Sequence, residues 1–303
     1  MTATASRLRR LLLPLLAGAA AAALPGCATT ETAATAPAHS PWRGGMAIQL
    51  YSFHQDLDRD LAGTLKRIKA LGFDRVETYP VANLSAAQLR AALDAAGLKA
   101  VSAHLPWDRI RTDLPGVIAD ARTLGVEQFG PGSINLFDGR GFRNLSLADA
   151  EEAGRTLKQA CAAARDAGLR VFIHTHGNEF PAIEGTTPLE RMSRTADNCF
   201  DIEADLTWVK WAGTDPAALI RQYGARVTSL HLKDVTQAAI GQEPGKIDPK
   251  NFPIIGLGTI DWPAVMRASA AAGVRHYIIE DESADPAGQI PHSLEYLDSI
   301  AGD

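Results

Sequence analysis

Apolar residues recur along this chain in two alternating rhythms. Leu61, Leu65, Ile68 and Leu71 follow the three-to-four spacing of one helical face, as do Leu84, Leu89 and Leu93. Each such run stops at a glycine and passes directly into a short apolar strand. The phrase occurs five times: ALGFDRVETY (70–79), AAGLKAVSAH (95–104), TLGVEQFGPG (123–132), DAGLRVFIHT (166–175) and AAGVRHYIIE (271–280). The glycine suits the left-handed turn that closes a helix, so the repeating unit is helix, glycine, strand. MAIQLY (46–51), CFDIEAD (199–205) and RVTSLHL (226–232) add three strands, with room for helices at Pro216–Tyr223 and Trp262–Ala272. Eight strands alternating with helices predict parallel pairing through right-handed crossovers, and a closed (β/α)8 barrel leaves no strand edge open. An open doubly wound sheet would need a glycine-rich phosphate turn after the first strand, and LYSFHQDLD contains no glycine.

Composition narrows the class. The 303 residues are 46% hydrophobic and 21% charged, with a net charge of -5, the profile of a globular domain with no basic track for nucleic acid. Arg7, Arg9 and Arg10 precede the apolar run LLLPLLAGAAAAAL, and LPGC ends it at Cys27, which resembles a bacterial lipoprotein signal with Pro25 as its departure from the usual box. Residues 1–27 are therefore expected to be an export signal with Cys27 as the lipidated residue, 28–44 an Ala/Thr/Pro-rich tether and 45–303 the barrel as a single domain. An uncleaved anchor would also carry the domain across the membrane, to a periplasmic location. Cys161 and Cys199 are too few for a disulfide framework and are expected to be small buried hydrophobes.

The chemistry gathers where the strands end. In this architecture the C-terminal ends carry function. They offer Gln49, Tyr51, Glu77, His104, then His174 and His176 with Glu179, then Asp205, then His231 with Lys233 and Asp234, and last Glu280. Unneutralised, Glu179, Asp205 and Glu280 would repel one another. Imidazoles and carboxylates without cysteine suit a divalent cation of borderline hardness: Mn, Co, Mg or Zn. His174 and His176, two apart on one strand, leave the same face and call for a shared partner.

FIHTHGNEF, FDIEADLTWVKWAGTDP, VTSLHLKD, IGLGTIDW and HYIIEDE resemble the sugar phosphate isomerase/epimerase family with the xylose-isomerase-like TIM barrel, over roughly residues 46–298. The resemblance implies metal ligands at Asp205, His231 and Glu280, joined by an acid or imidazole of the fifth strand. Family epimerases commonly carry glutamate where His174 stands, and a second glutamate, here Glu179, that touches substrate. One of the two histidines thus replaces a carboxylate ligand, with His174 favoured, while His176 and Glu179 face substrate or support the ligands. The implied catalytic groups are His176, Glu179, Lys233 and Glu280; His104, Trp107 and Trp208 are the expected sugar contacts, and Glu77 is expected to pair with Arg75 or a lysine.

The expected activity is isomerisation or epimerisation of an unphosphorylated keto-sugar by proton abstraction beside its carbonyl. A lyase acting on 3-keto-glycosides and a non-catalytic sugar-binding lipoprotein are the alternatives. An imidazole with an ordinary pKa near 6.5 can take a proton at neutral pH. The expected partner is a small sugar, with membrane contact only through Cys27; an oligomer is compatible with the sequence. Residues 235–258 form a long loop after the seventh strand and are expected to act as a lid.

Overall fold

The computed structural model describes residues 41–81, 83–134, 143–243 and 246–300. The export signal, Cys27 and most of the tether lie outside them. Eight parallel strands close into a barrel in sequence order: β1 Met46–Gln49, β2 Arg75–Thr78, β3 Lys99–His104, β4 Gln128–Gly130, β5 Arg170–His174, β6 Asp201–Asp205, β7 Val227–Leu232 and β8 His276–Ile279. The seam closes with Ala47 opposite Ile278 and Ile48 opposite Ile279. No helix among the described residues is long and apolar enough to cross a membrane.

The recurring phrase has the structure its sequence foretells. Gly72, Gly97, Gly125, Gly168 and Gly273, the five glycines of the phrase, all have positive φ, and at Gly97, Gly125 and Gly273 the left-handed residue is itself the helix cap. The helices Pro216–Tyr223 and Trp262–Ala272 occupy the expected spans. Leu84 instead precedes its helix, because Ser85 accepts the backbone N–H of Gln88 in a capping box and starts the helix at Ala86. The barrel's packing also begins earlier than residue 45: Pro41–Gly45 is a 3-10 turn whose Trp42 is buried in the main core, with Arg43 paired to Asp298.

The outward faces of the strands are apolar. Ile48, Val76, Phe129, Val171, Ile173, Ile202, Leu230, Leu232 and Ile279 are buried in the core that also holds helix residues such as Leu65, Ile68, Leu93, Leu157, Ile220 and Val265. Burial of this kind supplies roughly 25 cal/mol per Å² of apolar surface.

One expectation is corrected here. Cys161, in the helix Leu147–Asp166, and Cys199, just before β6, form a disulfide with a Cα–Cα distance of 6.2 Å. The pairing is tertiary, since the segment between them contains a strand and a helix, so neither cysteine's local pattern announces it. Closing a 38-residue loop should contribute about 3–4 kcal/mol. A Cys199→Ser variant, or the wild type under reductant, should lose that much in urea unfolding; an unchanged midpoint would show that the bridge does not constrain the unfolded chain.

Candidate active site

Polar residues line the inside of the barrel well below its mouth. Hydrogen bonds between strands that are not neighbours can only cross the interior. Gln128 of β4 donates to Ser229 of β7 at 2.6 Å, His104 of β3 meets Glu203 of β6 at 2.7 Å, and Glu77 of β2 meets His231 of β7 at 2.7 Å. Side chains alternate along a strand, so Glu203 and Asp205 of β6 both project inward, as do Ser229 and His231 of β7. Two tiers of chemistry result. The inner tier is Glu77, His104, Glu203 and the inner edges of His174 and His231; the outer one is Asp205, Lys233, Glu280 and the outer edges of the same two imidazoles.

The outer tier fits a divalent cation. Asp205, His231 and Glu280 each offer an atom within 4.8 Å of the others. His231 Nδ1 lies 3.2 Å from Glu280 Oε2 and 3.9 Å from Asp205 Oδ2, and His174 Nε2 lies 4.0 Å from that same Asp205 oxygen. Donors that bind one ion at about 2.0–2.2 Å stand roughly 3–4 Å apart. Asp205 Oδ2 is buried with the Lys233 ammonium as its ion-pair partner at 3.1 Å, while Oδ1 accepts the N–H of Trp208 and so orients the carboxyl. His104, His174, Glu203 and His231 form a second possible ligand group in the inner tier.

Protonation follows from burial set against neighbours. Burial alone would suppress the charge on His104 and His231, yet the carboxylates of Glu77 and Glu203 push His104 up to about 10, and Glu203, Glu280 and Glu77 hold His231 well above its ordinary value. Glu77 and Glu280 are correspondingly held well below the usual carboxylate range despite burial, Glu77 by His104 and His231, Glu280 by Lys233 and His231. Burial beside His231 drives His174 well below normal, and burial with Lys233 lowers His176 to about 4. Both are therefore neutral imidazoles at pH 7. Burial raises Asp205 to about 6, opposed by Lys233. Lys233 Nζ lies 3.1 Å from Asp205 Oδ2, 2.8 Å from Glu280 Oε2 and 2.6 Å from Glu282 Oε1, a buried ammonium among three carboxylates.

The structure brings His174, Asp205, His231, Glu280 and Lys233 together, and His176 stands beside them. His176 is half-buried, the charges of Lys233 and Glu280 act on it in opposite directions, and its ring stacks on Trp208 with centroids 4.6 Å apart. Glu179 is not brought to this group. Gly177, at φ 93°, turns the chain just past His176 and folds Glu179 beneath it, where the carboxylate accepts the His176 N–H at 3.0 Å. Burial raises Glu179 to about 7, opposed only by backbone amides of the same turn and by no charge of the site. His104, expected as a sugar contact, is drawn below the mouth because its Nε2 engages Glu203 and Glu77. Glu77 does not pair with Arg75, whose guanidinium donates to the Gly44 carbonyl instead. Trp107 and Trp208 are both buried, and Trp208 backs His176 rather than presenting an open face.

Asp234 organises the loop after β7. Its carboxylate accepts N–H groups from Val235, Gly256, Gly258, Thr259 and Ile260 and the indole N–H of Trp262. The loop is thereby folded against the barrel beside Lys233 and Glu280, leaving only a small pocket that Phe252, Ile255 and Ser293 also line. Asp234→Ala orphans several buried donors at once and should cost at least about 2 kcal/mol. Proteolysis within 235–260 should accelerate; unchanged cleavage would show that the loop is held by other means.

The matching family model spans residues 65–300 and describes the xylose isomerase-like TIM barrel. The chain belongs to this family. Among curated relatives, an inosose dehydratase of Clostridium perfringens is 25% identical over 175 residues, 53% of this chain and 55% of that protein. An inosose dehydratase of Clostridium botulinum is 22% identical over 141 residues, 44% of this chain and 46% of that protein, so the chain matches about half the length of these relatives. A sugar phosphate isomerase/epimerase from Parabacteroides distasonis superposes with TM-score 0.68 at 20% identity, covering 89% of this chain and 97% of the other. The D-psicose 3-epimerase of Clostridium cellulolyticum gives 0.63 at 14% identity, covering 85% and 99%. At such identities the superpositions establish the shared fold.

Proposed function

We propose that this protein is a divalent-metal-dependent enzyme that abstracts the proton beside the carbonyl of a small, unphosphorylated keto-sugar, leading to isomerisation or epimerisation. The observation that carries this reading is a neutral, half-buried imidazole, His176, placed beside the donor set His174, Asp205, His231 and Glu280. A cation held there would supply Lewis-acid polarisation of the substrate carbonyl. His176 takes the proton from the adjacent carbon, and Trp208 fixes its ring plane during the transfer. Lys233 balances the charge of Asp205 and Glu280 and keeps Glu282 as a partner when those carboxylates are engaged, leaving its ammonium to orient a sugar hydroxyl.

A second reading, β-elimination of water, is favoured by two observations: Glu179 is folded away from the mouth, which removes one carboxylate from a two-base scheme, and the curated relatives are inosose dehydratases. Metal analysis of the purified protein, followed by incubation with keto-sugars in deuterium oxide, separates the readings. Deuterium incorporation with the sugar's composition retained supports isomerisation or epimerisation; loss of water by mass spectrometry supports the lyase. No bound metal and no exchange with any sugar would sink both.

We place the protein in the periplasm, lipid-anchored at Cys27. The Cys161–Cys199 disulfide supports this, because cytosolic thiols are kept reduced. Export also favours an unphosphorylated substrate.

A further inference from the structure

The inner tier contains two carboxylates that the proposed chemistry does not use. Glu203 Oε1 lies 2.7 Å from His104 Nε2, 3.2 Å from His174 Nδ1 and 3.3 Å from His231 Nε2. Glu77 Oε1 lies 2.7 Å from His231 Nε2 and 3.1 Å from His104 Nε2, and is itself held by Gln49 Nε2 at 2.8 Å, while Ser102 donates to Glu77 Oε2. Both glutamates are completely buried. An imidazole whose one nitrogen donates to a carboxylate presents the other as a lone pair in a fixed direction. The inner nitrogens, His174 Nδ1 and His231 Nε2, are on the glutamates' side. The outer nitrogens, His174 Nε2 and His231 Nδ1, face Asp205 Oδ2 at 4.0 and 3.9 Å.

We propose that Glu203, assisted by Glu77, is a positioning carboxylate that sets the tautomers of His174 and His231, so that the cation is bound at the outer tier and the inner tier holds protons rather than a second ion. The proposal rests on the metal-dependent reading above. It decides between two groups of possible ligands that share both imidazoles, and it names the ligating nitrogen of each. The inner group puts three imidazole nitrogens around a single carboxylate oxygen, at 2.7, 3.2 and 3.3 Å. Glu203 Oε2, buried without a hydrogen-bond partner, shows that the carboxyl is positioned by these imidazoles on its other oxygen alone.

The test uses the full chain labelled with ¹⁵N-histidine. Long-range ¹H–¹⁵N correlation spectra, recorded with and without one equivalent of zinc, identify which nitrogen of each ring carries the proton and which carries the metal. Zinc on His174 Nε2 and His231 Nδ1, with protons on His174 Nδ1 and His231 Nε2, is expected. Zinc on His231 Nε2 or His174 Nδ1, or a second tight equivalent, overturns the proposal while leaving the enzymatic reading intact. If no zinc binds, that reading fails instead, and the neutral His174 of the metal-free protein still decides: a proton on Nδ1 supports the clamp and a proton on Nε2 refutes it. Glu203→Gln should weaken zinc binding by roughly 10–100-fold in calorimetry. Wild-type affinity in a folded Glu203→Gln protein would also overturn the proposal, and should that variant not fold, the wild-type spectra decide alone.

Discussion

Asp205→Asn should lower kcat/KM by roughly 10³-fold, about 4 kcal/mol of transition-state stabilisation, and should weaken cation binding in parallel. The side chain ends β6 with its two oxygens doing different work. Oδ1 caps the helix Leu206–Trp211 by accepting the Trp208 N–H at 3.1 Å, and Oδ2 is the buried atom on which His174, His231 and Lys233 converge. Asparagine keeps the cap and gives up the anionic donor. Burial lifts the Asp205 carboxyl to about 6, so carrying its charge at pH 7 costs the folded state stability. Losing that charge therefore removes a cost while it leaves Lys233 with two carboxylates instead of three, and the unfolding free energy should move by no more than about 1 kcal/mol. Kinetics and urea unfolding measured on the same preparation check the pair of statements. Activity retained within tenfold would remove the cation from the mechanism, and a large loss of stability would mean that the loss of activity reports folding.

The outer tier was legible in the sequence because strand periodicity and strand ends locate it. His174, Asp205, His231 and Glu280 all sit at or next to the last residue of a strand, and the glycine-terminated helices fix where those strands begin. The inner tier was not. Glu203 precedes Asp205 by two and must share its inward face, but its partners His104, His174 and His231 come from three other strands, which nothing local announces. Glu77 looked like the partner of Arg75 for the same reason: proximity in sequence is visible, whereas a partner across the barrel, here His231 from five strands further on, is not. Glu179 was misplaced by a single torsion, the positive φ of Gly177, which reverses the direction in which the next side chains project. The Cys161–Cys199 bridge likewise depends on the packing of a helix against a strand entry, a contact that neither segment encodes alone.

Replacing His176 should separate the proton-transfer role from the metal. His176→Gln is expected to reduce kcat by about 10²–10⁴-fold, the range for loss of a general base, and to abolish solvent deuterium exchange into the sugar. Cation affinity should fall far less than in His174→Gln, because His176 stacks on Trp208 beside the donor set and is not part of it. His174→Gln should do the reverse in the first measurement, weakening the cation before any chemistry is reached. The pH profile adds an independent reading. Burial, reinforced by the Lys233 ammonium, lowers His176 to about 4, and a divalent cation nearby would disfavour imidazolium further. A group that must be neutral to act loses activity as pH falls through its pKa. The acid limb of kcat/KM should therefore lie at or below about pH 4, below the ordinary histidine range, and vanish as a distinct feature in the residual activity of His176→Gln. A limb near 6.5–7 that persists in His176→Gln and disappears in Glu179→Gln would transfer the base to Glu179, whose carboxyl burial raises to about 7, and would require the turn at Gly177 to open during the reaction.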